Sequence, residues 1–153
     1  MIRSRVNRVL LLGGLAGASA LVTLPLGSAS AALPSIKCGK LTGTISTTVT
    51  LSKCSGNTGG ASTAMPAASL ASGGTINWVN GKSTTVTLKV STTESDTSET
   101  LTCPAGTSEY EAKGKVTADT TGSAPVGGVA KAEVCADGTG NLSLEPGSKA
   151  LLK

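Results

Sequence analysis

The chain contains no histidine, phenylalanine or glutamine, and its only arginines, Arg3, Arg5 and Arg8, fall within the first eight residues. Beyond Ala31 the charged residues are lysine, aspartate and glutamate alone, and the aromatic ones are Trp78 and Tyr110. These absences remove whole mechanisms. A serine or cysteine nucleophile needs a neighbouring base, and histidine, the usual one, is missing. Neither a G-x-S-x-G turn nor an S-x-x-K pair occurs. A structural zinc site is disfavoured in the same way, because there is no C-x-x-C pair and no histidine to complete one. The sequence therefore predicts no enzyme, no cofactor and no metal.

What stands at the start of the chain has an address rather than a chemistry. A basic opening (Arg3, Arg5, Arg8), an apolar run from Val9 to Leu26 and Ala29-Ser30-Ala31 form the pattern of a secretory signal peptide over residues 1–31. An uncleaved anchor is the alternative, but Gly13, Gly14, Gly17, Thr23 and Pro25 dilute the run. The expectation is export with no stable membrane insertion after cleavage, leaving residues 32–153 as one domain. Losing the leader removes every arginine and leaves ten lysines against nine acids, a net charge of +1. Those lysines are scattered along the sequence, and with two aromatics for base stacking no nucleic-acid partner is expected.

The exported part is poor in core-forming residues: eight Val, ten Leu and three Ile. With 15 Ser and 21 Thr, an unstructured stalk is the compositional rival. Strand patterning opposes it. Four cysteines, Cys38, Cys54, Cys103 and Cys135, all lie in this part, where an oxidising compartment favours two disulfides. Three connectivities exist, and sequence proximity favours Cys38 with Cys54 and Cys103 with Cys135.

Hydrophobicity repeats every second residue. From Glu109 to Asp119, Tyr110, Ala112, Gly114, Val116 and Ala118 alternate with charged or polar residues, the signature of a half-buried antiparallel strand. The segments Leu41–Lys53 (through Ile45, Val49 and Leu51), Lys82–Thr92, Ala130–Cys135 and Leu142–Leu144 read in the same way. Ser55–Gly74 reads as a long surface loop, with one helical turn possible over Pro66–Ala71. The hexapeptide Ser-Thr-Thr-Val-Thr-Leu occurs at Ser46–Leu51 and again at Ser83–Leu88, either a duplicated hairpin or a coincidence of a threonine-rich alphabet. The predicted fold is all-β: a single antiparallel sandwich or barrel with two disulfides.

The hairpin at Asn80-Gly81 decides what Trp78 does. A two-residue type I′ loop pairs Trp78 with Ser83 and puts the indole on a hydroxyl-rich face, where it could stack on a sugar ring. A three-residue loop with Gly81 left-handed pairs Trp78 with Lys82 and Ile76 with Thr84, gathering Ile76, Trp78, Thr84, Val86, Leu88 and Val90 on one face. The second register buries more apolar surface and is favoured. Trp78 is nonetheless the one candidate ligand-binding residue in the sequence.

The acids offer less. Glu109 and Glu111 share a strand face about 6.6 Å apart along the chain, within the range of glycosidase carboxylates, yet alternation with Lys113 and Lys115 points to surface charge pairs. Glu94, Asp96 and Glu99 could ligate calcium but read better as an exposed acidic loop. Asp137-Gly138-Thr139-Gly140-Asn141 reads as a turn between strands.

The runs Cys38-Gly39-Lys40-Leu41-Thr42-Gly43-Thr44-Ile45 and Thr50-Leu51-Ser52-Lys53-Cys54-Ser55-Gly56-Asn57-Thr58-Gly59-Gly60, with the Tyr110–Thr121 strand, resemble small secreted Ser/Thr/Gly-rich β proteins of actinobacteria. That resemblance implies export and a β-rich fold. The composition is also similar to the neocarzinostatin-type apoproteins, Ig-like sandwiches with two disulfides and a ligand-holding cleft, although their bridges close shorter loops. The expected role is a secreted, non-catalytic extracellular or cell-envelope binding or structural protein, with envelope polysaccharide as a possible partner. A carrier of a small apolar ligand is the alternative, and a glycoside hydrolase a distant third.

Overall fold

A computed structural model describes residues 33–92 and 102–153. The chain separates at Ala31/Ala32 into two units, and the described residues belong to the second. The signal-peptide expectation and the acidic trio Glu94, Asp96 and Glu99 lie outside them.

Alternating sequence gives alternating structure. The strands are β1 (Ile36–Thr44), β2 (Thr48–Cys54), β3 (Met65–Pro66), β4 (Gly73–Asn77), β5 (Ser83–Ser91), β6 (Ser108–Asp119), β7 (Val129–Ala136), β8 (Asn141–Leu144) and β9 (Ala150–Leu152), with one short helix, α1 (Ala68–Ser72). All pair antiparallel in one sheet of order β3-β2-β1-β8-β7-β6-β5-β4. β8 and β9 lie end to end between β1 and β7, each pairing with both. The two ends of the sheet are then joined. Ala61 bridges Ser52 of β2, and Ser62 bridges Trp78 just beyond β4. The Ser62 N–H donates to Leu51 O at 2.9 Å and the Val79 N–H to Ala61 O at 3.1 Å, so the sheet closes as a barrel.

Its interior is filled by Ile36, Leu41, Val49, Trp78, Val116 and their neighbours. Without phenylalanine, the layers are aliphatic and small, and strands approach closely. Gly114 of β6 shows how closely: a β-carbon there would sit 1.7 Å from Thr87 O, so no other residue fits without parting β5 from β6. Both disulfides form with the expected pairing, Cys38–Cys54 across β1 and β2 and Cys103–Cys135 onto β7. The hairpin adopts the three-residue register. Ile76 faces Thr84, the Trp78 N–H donates to Lys82 O at 2.8 Å, and Gly81 has φ of 80°, the left-handed conformation a G1 bulge requires.

Three expectations are corrected. Leu41–Lys53 is not one strand but the β1–β2 hairpin, whose turn carries Ile45 out of the core into solvent. Ser55–Gly74 is no plain surface loop: it holds β3, α1 and the closing bridges, and buries Thr58, Ser62 and Met65. In β6, Thr85 faces Ala118 while Val86 faces Val116, leaving Thr117 as the extra residue of a bulge. The bulge reverses the alternation, exposing Ala118 and turning Asp119 towards Thr84. The repeated hexapeptide serves two contexts: Ser83–Leu88 runs entirely along β5, whereas Ser46 and Thr47 belong to the β1–β2 turn.

Candidate functional site

The corrected registers determine which side chains meet. Trp78 is 1% exposed, and its indole N–H donates to Thr84 Oγ1 at 2.9 Å. Thr84 Oγ1 in turn donates to Asp119 Oδ1 at 2.6 Å. On the other side of the carboxylate, the Thr121 hydroxyl donates to both oxygens (2.9 and 2.8 Å), and the Ser123 and Ala124 N–H groups donate to Oδ2 at 3.2 and 3.3 Å. Burial by itself pushes the Asp119 carboxyl up. The hydrogen bonds from Thr84, Thr121 and the backbone of Ala124 and Thr121 outweigh it, so the net shift is downward and the group is held ionised. This chain of bonds satisfies the one indole donor in the domain and fixes the loop after β6.

Trp78 therefore presents no face to a sugar, and the stacking role considered for it is corrected: the indole is a core side chain anchored at its polar end. Its fluorescence should be blue-shifted, resistant to acrylamide and unchanged by cell-wall polysaccharide. A red-shifted, readily quenched emission would contradict this placement.

The acidic candidates behave as charge pairs and turns. Glu111 and Glu133 face each other across β6 and β7, and Lys131 Nζ lies 2.6 Å from Glu133 Oε1 and 4.0 Å from Glu111 Oε1. Lys113 Nζ approaches Glu111 Oε1 at 3.9 Å. Glu109 instead faces Cys135, two pairs further along. The Asp137 carboxylate accepts hydrogen bonds from the Thr139 N–H and hydroxyl and from the Asn141 N–H and side-chain amide, at 2.7–2.9 Å. Asn141 and Thr139 thereby hold the Asp137 carboxyl far below its ordinary value, and its acceptor capacity closes a β7–β8 turn. Among the described residues, no group of three or more His, Cys, Asp or Glu side chains is placed to hold a metal ion.

An apolar cleft lies at one end of the barrel. It lies between α1 and the inner faces of β5 to β8, has a volume of about 120 Å³, and is lined by Ala67, Leu70, Val90, Tyr110, Val134 and Leu142, with Ile45 and Ala71 beside them. A smaller space of about 40 Å³ shares Leu70 and Val134 and continues towards Leu41 and Val86. Tyr110 brings the one polar side-chain group in this lining. Sequence reasoning placed Tyr110 and Val90 on inward faces. It missed the cleft because Leu70 and Ala71 belong to a segment read as loop. The small residues Ala67, Ala71 and Ala112 are the signal that could have found it: three alanines where larger side chains would have filled the space.

Among the described residues, no helix is long and apolar enough to cross a membrane. Compared with known proteins, the chain matches no family model, no curated protein and no solved structure.

Proposed function

We propose that this is an exported, non-catalytic binding protein that holds a small apolar group in the cleft beneath α1. The observation that carries the reading is the lining itself: aliphatic on every side but one, with no charged or nucleophilic side chain in it. Its volume of about 120 Å³ is close to the ~150 Å³ that accepts a single aromatic ring in other proteins. That bounds the ligand to one ring or a short branched chain. Export is supported by the leader-like N-terminus and by two disulfides, which persist in oxidising compartments. Such a protein acts as a carrier, or as an envelope component that anchors the apolar end of a larger molecule.

The test is titration with small ring and branched-chain compounds, following thermal stabilisation and the NMR shifts of Leu70, Val90 and Leu142 methyls. Saturable binding is expected in the native protein. Ala71 is exposed on α1 and borders the cleft, so Ala71→Phe should fill the mouth and abolish binding while leaving Trp78 emission unchanged. Equal binding by Ala71→Phe and native protein, or none by either, refutes the proposal.

A further inference from the structure

Lysines that are scattered in sequence become neighbours through strand register. On the outer face, Lys113 of β6 is paired with Lys131 of β7, Lys131 with Leu151 of β9, and Leu151 with Lys37 of β1. The next outward row pairs Lys115 with Val129, and Val129 exchanges both backbone hydrogen bonds with Lys153. Alternation confirms the side: Ala130 and Leu152, between these rows, are buried in the core. Five lysines thus stand on four adjacent strands, within about 14 Å across the sheet at the usual strand spacing.

Charge balance differs within the patch. Lys113 and Lys131 are engaged with Glu111 and Glu133 along its upper margin. Lys37, Lys115 and Lys153 are exposed and have no carboxylate within ion-pair distance among the described residues. Aliphatic side chains lie between them. Leu33 is 80% exposed and Val129 is 39%. Leu33, Val129 and Leu151 line an open groove of about 510 Å³ together with Lys37 and Lys153. Like-charged cations surrounding exposed aliphatic groups are unfavourable neighbours in water alone. An anionic surface with an apolar layer below it satisfies both, with the ammonium groups at the headgroup phosphates and the aliphatic side chains at the acyl boundary.

We propose that this β6–β7–β9–β1 face docks the protein on an anionic phospholipid surface. The contact is peripheral, made by lysine ammonium groups and the Leu33–Val129 aliphatics, and leaves the cleft beneath α1 outside the patch. It stands independently of what the cleft binds.

The test is flotation of the exported protein, with its N-terminus mapped by mass spectrometry, on phosphatidylglycerol vesicles and on phosphatidylcholine vesicles. Binding to the first, none to the second, and loss of binding with rising salt are expected. The triple variant Lys37→Gln/Lys115→Gln/Lys153→Gln should bind roughly 100-fold more weakly. Leu33→Ser should bind several-fold more weakly, and Lys82→Gln, in the turn between β4 and β5 and off this face, should bind as the native protein does. Native Trp78 emission in each variant establishes that folding is intact. Failure to bind anionic vesicles, or undiminished binding by the triple variant, overturns the proposal. So does tighter binding to soluble polyphosphate than to vesicles, which would assign the face to an anionic polymer.

Discussion

Reducing both disulfides is expected to unfold the domain at room temperature in otherwise native buffer. The bonds join residues 16 and 32 positions apart. Restricting loops of that length in the unfolded chain stabilises the fold by about 3 and about 4 kcal/mol in the chain-entropy description. Together, roughly 7 kcal/mol approaches the whole stability of many small domains, about 5–15 kcal/mol. Here the core has one indole, no phenylalanine and only the partly buried ring of Tyr110 beside it, so the remaining apolar burial is mostly aliphatic. Thiol addition should therefore shift Trp78 emission to the red and abolish near-ultraviolet circular dichroism. Blue-shifted emission persisting after mass spectrometry shows four free thiols would refute this. The two bonds should not contribute equally. Cys38 and Cys54 face each other on strands that pair regardless, whereas Cys103–Cys135 closes the longer loop and fixes the segment leading into β6. Cys103→Ser/Cys135→Ser should be the more damaging pair.

Asp119→Ala should lower stability by about 3–4 kcal/mol, since it strands the Thr84 and Thr121 hydroxyls and two backbone N–H groups that donate to one carboxylate. Asp119→Asn keeps the shape but turns an amide towards those donors, and should cost about 2 kcal/mol. The pH dependence has a fixed sign. The folded-state carboxyl is lowered from 3.8, so its contribution is complete above that value and disappears as pH falls through the lower folded-state pKa. The gap between native and Asp119→Asn urea midpoints should thus be constant near neutrality and shrink in acid. Asp137, also lowered, destabilises both proteins in acid alike and cancels from the difference. A gap that does not change down to pH 2 would show that Asp119 is not the acceptor described.

Much of this fold was legible because two signals are strong and local. Period-two alternation gave β6 and β5, and the greater apolar surface gathered by the three-residue loop chose between the two hairpin registers and with them the fate of Trp78. The β1–β2 turn was not legible. Its Ile45-Ser46-Thr47 contains no Gly, Pro, Asn or Asp, and the same residues fit a strand as well as a bend. The Thr117 bulge was equally hidden, since nothing in Lys115–Asp119 announces an extra residue, and so Asp119 was placed with the surface acids. The lysine patch belongs to a third category. Lys37, Lys115 and Lys153 are far apart in sequence, and only non-consecutive pairing, with β9 inserted between β7 and β1, brings them together.

The short link through Ala61 and Ser62 governs behaviour that a single molecule in isolation does not reveal. Where it holds, β2 has backbone partners on its outer side at Leu51, Ser52 and Cys54, and the end of β4 is covered at Asn77 and Trp78. Were it to open, the edges of β2 and β4 would be exposed in a segment, residues 33–92, that contains no acidic residue to repel a neighbour. Such edges would be free to propagate sheet from chain to chain. The Ala61–Ser62 link is thus a safeguard against polymerisation, and its loss should appear first as concentration-dependent fibril growth.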